Sequence, residues 1–269
     1  MDNNFSIPNT QRNNIPHKQN NQPDLQNPKV RFTWRDFPYI SMFLATIAQL
    51  VIWWVYPLIY SKNLEGGRWQ ENPVLLAYSL LCALVIFWTF RHGFEDWKNY
   101  LVLLIPALSL YFLYQRMSGQ QVSLVALLPI AMVLIQVRWL NLQNILGLIM
   151  FSAIATVAFP VTIFYQQNTY LTIPFLLSLL PLFLSYLFYM SSLFITQGRS
   201  MRLTALVFGI MLLLNVLSLP WNVWTILATL IILFTWMVLI NLNLKRRYRF
   251  GVYAVLQMIT VMLIFLQQK

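Results

Sequence analysis

Acidic residues are scarce in this chain. Asp and Glu number 7 among 269 residues, against 18 Lys and Arg. A soluble protein of this length needs a charged surface, and seven carboxylates cannot cover one. Cysteine is scarcer still. Cys82 stands alone inside an apolar run, so it forms no disulfide within the chain and says nothing of redox compartment. Histidine occurs twice, as His17 and His92. There is no H-E-x-x-H, no C-x-x-C and no P-loop, so no metal site and no cofactor are expected. A catalytic triad would have to join His92 to a serine that no local signal marks, and no catalytic residue is assigned.

What is there is apolar. The chain is 59% hydrophobic and 9% charged, with a mean hydropathy of +0.62. From about residue 37, apolar runs follow one another at about 37–60, 73–90, 98–115, 122–137, 142–165, 170–196, 203–219, 222–240 and 250–266. Runs of this length and number predict an all-α polytopic transmembrane helical bundle of about nine spans. Period-2 alternation, the mark of a barrel, is missing. The fourth run is the shortest and leaves room for a re-entrant segment. Short breaks such as RMSGQQ, QQNTY and LPWN make sequential helices antiparallel neighbours.

Ahead of the first run lies a stretch rich in Asn, Gln and Pro. It holds too little apolar surface to offset the entropy of ordering, so residues 1–36 read as a disordered polar cytoplasmic tail. The multi-span domain is then 37–266. A signal peptide would place its apolar run nearer the start.

The cations give an orientation, because Lys and Arg are retained on the cytoplasmic side. With nine spans and a cytoplasmic N-terminus, only Lys62, Arg68, Arg116 and Lys269 fall outside, and the other 14 of the 18 fall inside. The densest inner group is KRRYRF, with Lys245, Arg246, Arg247 and Arg249 in five positions. It reads as the last cytoplasmic loop, an anchor for topology and for anionic lipid headgroups at about 1 kcal/mol per cation. A nucleic-acid surface would need a folded basic module with stacking aromatics, so no nucleic-acid partner is expected.

Three places remain where function could sit. The first is RHGFEDWK, residues 91–98, in the first cytoplasmic loop. It reads as a solvated turn or as a docking loop for a protein partner. In the second case Phe94 and Trp97 are the anchors, with Arg91, His92, Glu95 and Asp96 around them. The second is the set of amides inside spans: Gln49, Asn215 and Gln257. In lipid each needs a partner and should face protein, as helix glue or as a substrate contact. The third is the loop at 62–72, a connector or a lid. None of the seven carboxylates falls within a span, which weighs against a proton-coupled carrier. Pro106, Pro129, Pro160, Pro174 and Pro181 fall inside spans and can kink them. Pro106, Tyr111 and Tyr114 repeat the spacing of Pro181, Tyr186 and Tyr189, although the flanking residues do not match.

Two functions fit. One is a non-catalytic subunit, assembly factor or scaffold of a membrane complex. The other is a small carrier for a neutral or apolar substrate. The expected location is a bacterial inner (plasma) membrane, with a thylakoid or organellar membrane compatible with the same composition.

Overall fold

The computed structural model describes residues 38–60, 73–94, 96–167, 171–195, 199–241 and 246–267. The expected tail, the 62–72 loop, Glu95 and Lys245 lie outside the described residues, as do the side chains of Arg246 and Arg247. All regular structure described is helical: α1 (Tyr39–Tyr60), α2 (Pro73–His92), α3 (Lys98–Tyr114), α4 (Gly119–Gln136), α5 (Ile145–Gln167), α6 (Ile173–Ser178), α7 (Leu180–Phe194), α8 (Arg199–Leu217), α9 (Val223–Asn241) and α10 (Arg246–Gln267). Each of the nine apolar runs is therefore helical. The sixth is jointed, with Leu179 between α6 and α7 and a proline in the first turn of each piece. There the missing N–H has no helical partner to lose.

Among the described residues, six helices are long and apolar enough to cross a membrane. They are Pro73–His92, Gly119–Gln136, Ile145–Gln166, Ile173–Phe194, Ser200–Leu217 and Tyr248–Gln267. Tyr39–Val55, Lys98–Tyr114 and Val223–Leu239 are apolar but shorter. The fourth run belongs with the long ones, because its helix starts before its apolar residues do. The Ser118 hydroxyl accepts from the Gln121 N–H at 3.4 Å, and the Gln121 amide oxygen accepts from the Ser118 N–H at 3.2 Å. This reciprocal cap starts α4 at Gly119.

The helices pack as two rings sharing a wall. One ring runs α1–α2–α3–α4–α5 and closes where α5 meets α1. The other runs α7–α8–α9–α10 and closes where α10 meets α7. The rings join along α1 on α10 and α5 on α7. Large apolar side chains on α3, α8 and α9 point outward. The buried polar residues are Ser, Thr, Asn and Gln, with no charged residue among those described. An apolar exterior over a neutral polar interior suits a bundle solvated by lipid.

Three details hold this arrangement. Gly251 lets α10 close on α1: a Cβ there would meet the Ser41 carbonyl oxygen at 3.0 Å and its Cα at 3.2 Å. Small residues at such crossings let backbones approach where lipid gives no hydrophobic drive. Pro129 deprives the Val125 carbonyl of its helical donor, and the Tyr78 hydroxyl of α2 donates to that oxygen at 3.5 Å. At one end of the bundle, Phe90 of α2 touches Phe151 of α5, Phe194 of α7 and Phe250 of α10, with centroids 5.2–5.4 Å away.

That cluster brings to one end the close of α2, the opening of α5, the close of α7 and the opening of α10. These are the ends beside which Arg91, Arg138, Arg202 and Arg249 stand in sequence. Rings near span ends are expected to sit at the membrane interface, and Trp53 and Trp54 do not. Trp53 stacks on Phe159 of α5 at 4.4 Å, and the Trp54 indole donates to Ser79 of α2 at 3.0 Å.

Candidate functional site

The most polar part of the interior is the wall between the rings. It is built on α7, whose Ser185, Tyr189 and Ser192 recur at i, i+4 and i+7 and so share one face. On α10, Arg249, Tyr253, Gln257 and Thr260 recur at i, i+4, i+8 and i+11 and make a matching stripe. The two stripes meet. Gln257 donates its amide N–H to the Ser185 hydroxyl at 3.1 Å, and that hydroxyl donates to the Leu182 carbonyl at 2.7 Å. The Tyr189 and Thr260 hydroxyls share a hydrogen bond. At the cation-bearing end, Arg249 Nη1 reaches the Ser192 carbonyl at 3.5 Å, and the Tyr253 hydroxyl stands by the Ser192 side chain.

The third wall is α1. Thr46, Gln49 and Trp53 lie on one stripe at i, i+3 and i+7. The Tyr186 hydroxyl of α7 donates to the Gln49 amide oxygen at 2.7 Å, with the Trp53 indole beside it. Gln49 and Gln257 are the eleventh and twelfth residues of their 22-residue helices, so both amides sit at mid-length. Gln49 is 1% exposed and Gln257 fully buried. Each amide uses one atom. Gln49 Nε2 and Gln257 Oε1 have no hydrogen-bond partner, and neither does the Thr46 hydroxyl. Outward of Gln49, Trp53, Phe159 and Tyr78 form an aromatic layer with centroids 4.4 and 5.9 Å apart.

The other residues singled out from the sequence are placed as follows. Asn215 is half-buried on α8, which packs chiefly on α7 and α9. The described residues of the 91–98 stretch form a corner. Gly93 takes φ 83° and donates its N–H to Thr89 at 3.0 Å, ending α2 with a left-handed residue. The buried Asn99 side chain donates to the Gly93 carbonyl at 2.6 Å, and the Asp96 carboxylate accepts from the Lys98 N–H at 3.2 Å.

Of the two expected anchors in this corner, Phe94 is turned inward. It sits 5.3 Å from Phe90 and 5.2 Å from Phe194, which leaves Trp97, 65% exposed, as the outward ring. His92 stays on its own helix, stacked on Trp88 at 4.2 Å with Nδ1 3.0 Å from the Trp88 carbonyl. Arg91 is half-buried and Arg249 is engaged as above.

Sequence reasoning found Gln49 and Gln257 but not what binds them. Tyr186, Tyr189, Ser185 and Thr260 carry the polar wall. The signal for them was a phenol far from either end of a span, since a buried phenol needs an acceptor. Among the described residues, no three His, Cys, Asp or Glu side chains gather where they could hold a metal ion. The chain matches no protein-family model, no curated protein and no solved structure.

Proposed function

We propose that this chain is a non-catalytic component of a membrane complex, a subunit, assembly factor or scaffold that presents its cation-bearing end to a partner. The observation behind this reading is the construction of that end. Phenylalanines from α2, α5, α7 and α10 interlock around Phe90, and the 91–98 corner is pinned by Asn99 and Gly93. A rigid platform with Trp97 outward, flanked by Asp96 and Lys98, has the makeup of a docking patch, an exposed aromatic within a polar rim. The orientation that goes with it puts this end and the N-terminus in the cytoplasm of a bacterium, facing anionic headgroups across nine spans. The test is the mass and composition of the particle extracted in mild detergent. A second chain at fixed stoichiometry, lost on Trp97→Ala, supports the reading. A single-species particle unchanged by Trp97→Ala contradicts it.

A carrier of a small neutral substrate is the second reading. It is favoured by the unpaired amide atoms of Gln49 and Gln257 at mid-length in the central wall. On that reading Gln49→Leu and Gln257→Leu abolish function, while Trp97→Ala leaves it intact.

A further inference from the structure

We infer that the wall between α1, α7 and α10 is a hydrated half-channel. It is open to water from the cation-bearing end and closed by the aromatic layer of Trp53, Phe159 and Tyr78. This goes beyond either functional reading and holds under both.

The argument starts from unpaired groups. A buried polar atom with no partner costs on the order of 1–3 kcal/mol, and native proteins keep few of them. Here one wall holds Ser41 Oγ, Thr46 Oγ1, Gln49 Nε2, Trp53 Nε1, Ser192 Oγ and Gln257 Oε1, with Thr46, Gln49 and Gln257 at its centre. They are not scattered. Thr46 and Gln49 are one turn apart on α1. Gln49 and Gln257 are held to adjacent residues of α7, Tyr186 and Ser185. Together they offer a donor, an acceptor and a hydroxyl that does both, which suits water, with its two donors and two lone pairs.

Beyond Gln257 the Thr260 hydroxyl is paired with Tyr189, whereas toward the cation-bearing end unpaired groups continue, with Ser41 Oγ on α1 and Ser192 Oγ on α7. Toward the cation-bearing end, the α7 and α10 stripes run through Tyr189 and Tyr253 to Ser192 and Arg249, and Ser41 lies against Gly251. In the other direction, Trp53 stacks on Phe159 and Tyr78 leans on the same ring. Charge sets what can enter. The Arg249 guanidinium at the mouth repels cations. No buried charge among the described residues compensates an ion inside, and a desolvated ion without one is strongly disfavoured. Water fits the wall on both counts.

The test uses the full chain in oriented membrane vesicles. The buried Cys82 is replaced by alanine, and single cysteines are placed at Thr46, Ser192 and Gln257. A neutral, membrane-impermeant methanethiosulfonate sugar, which Arg249 does not repel, needs a hydrated thiolate to react. Reaction at Ser192→Cys and Thr46→Cys from the cation-bearing side, with none from the opposite side, is the expected result. Leu108→Cys on the outer face of α3 stays unreactive from both sides. Hydroxyl-radical footprinting of the unsubstituted chain guards against a variant that fails to fold, with Tyr186 and Tyr189 expected to oxidise and Phe159 not. Seam positions silent in both measurements would overturn the inference. So would labelling at Thr46→Cys from the opposite side, which would make the wall a through-channel.

Discussion

Helices α3 and α7 carry the same short pattern and lie in opposite surroundings. Pro106, Tyr111 and Tyr114 share the spacing of Pro181, Tyr186 and Tyr189. Tyr111 and Tyr114 are 65% and 67% exposed, whereas Tyr186 and Tyr189 are both 0% exposed. The prolines differ too. Pro106 lies inside α3, and Pro181 opens α7. The pattern therefore does not mark equivalent positions, because α3 packs chiefly on α2 and α4, while α7 packs on α5, α8 and α10. The difference lies in what surrounds the tyrosines. Around Tyr186 and Tyr189 stand Ser185, Ser191 and Ser192, and α3 has only Ser109 near its pair. A tyrosine among serines on one helix is a polar face seeking a partner. A tyrosine among leucines is a ring that lipid can cover.

That contrast can be tested by paired substitutions. The largest effect belongs to the aromatic end of α7. Phe194→Ala removes a ring in contact with Phe90, Phe94 and Phe151 and should destabilise by about 3–5 kcal/mol. Phe112→Ala on α3, facing outward, should change stability by less than about 0.5 kcal/mol. Denaturant titration in mixed micelles reads both. Next comes the close approach behind α7. Gly251→Leu drives a side chain into the Ser41 backbone and should cost about 1–3 kcal/mol, seen as a lower thermal midpoint.

Smaller is the phenol itself. Tyr186→Phe should cost about 0.6–2 kcal/mol for the lost bond to Gln49, and Tyr111→Phe nothing measurable. Smallest is Gln257→Leu. It loses the Ser185 bond, but the Ser185 hydroxyl keeps its bond to the Leu182 carbonyl and the cost of burying the amide is lost with it, so stability should shift by less than about 1 kcal/mol. An equal response of α3 and α7 to any of these pairs would break the comparison.

Much of the helical layout was legible in the sequence because lipid imposes a simple rule: apolar runs of sufficient length become helices. The nine runs followed from that, and so did the burial of Gln49 and Gln257. The wall itself was half legible. Arg249, Tyr253, Gln257 and Thr260 fall on one face of α10 by spacing alone, yet the eye stops at KRRYRF and reads the cations as a loop. The pairing of that face with α7 was not legible, since a span that is apolar on most faces does not declare which side meets its neighbour. Phe94 and Trp53 were misplaced for a related reason. A ring near a span end anchors at the interface only if no neighbouring helix offers it a cavity. Here Phe90, Phe194 and Phe159 do so.

The central claim is that the bundle crosses a membrane with its cation-bearing ends on one side. Single cysteines at Trp97, Trp139 and Trp221, in the Cys82→Ala chain, test it with an impermeant thiol reagent on oriented vesicles. Reaction of Trp97→Cys and Trp139→Cys from one side, and of Trp221→Cys from the other, is the predicted result. Trp221→Cys reacting from the same side as Trp97→Cys would contradict the account.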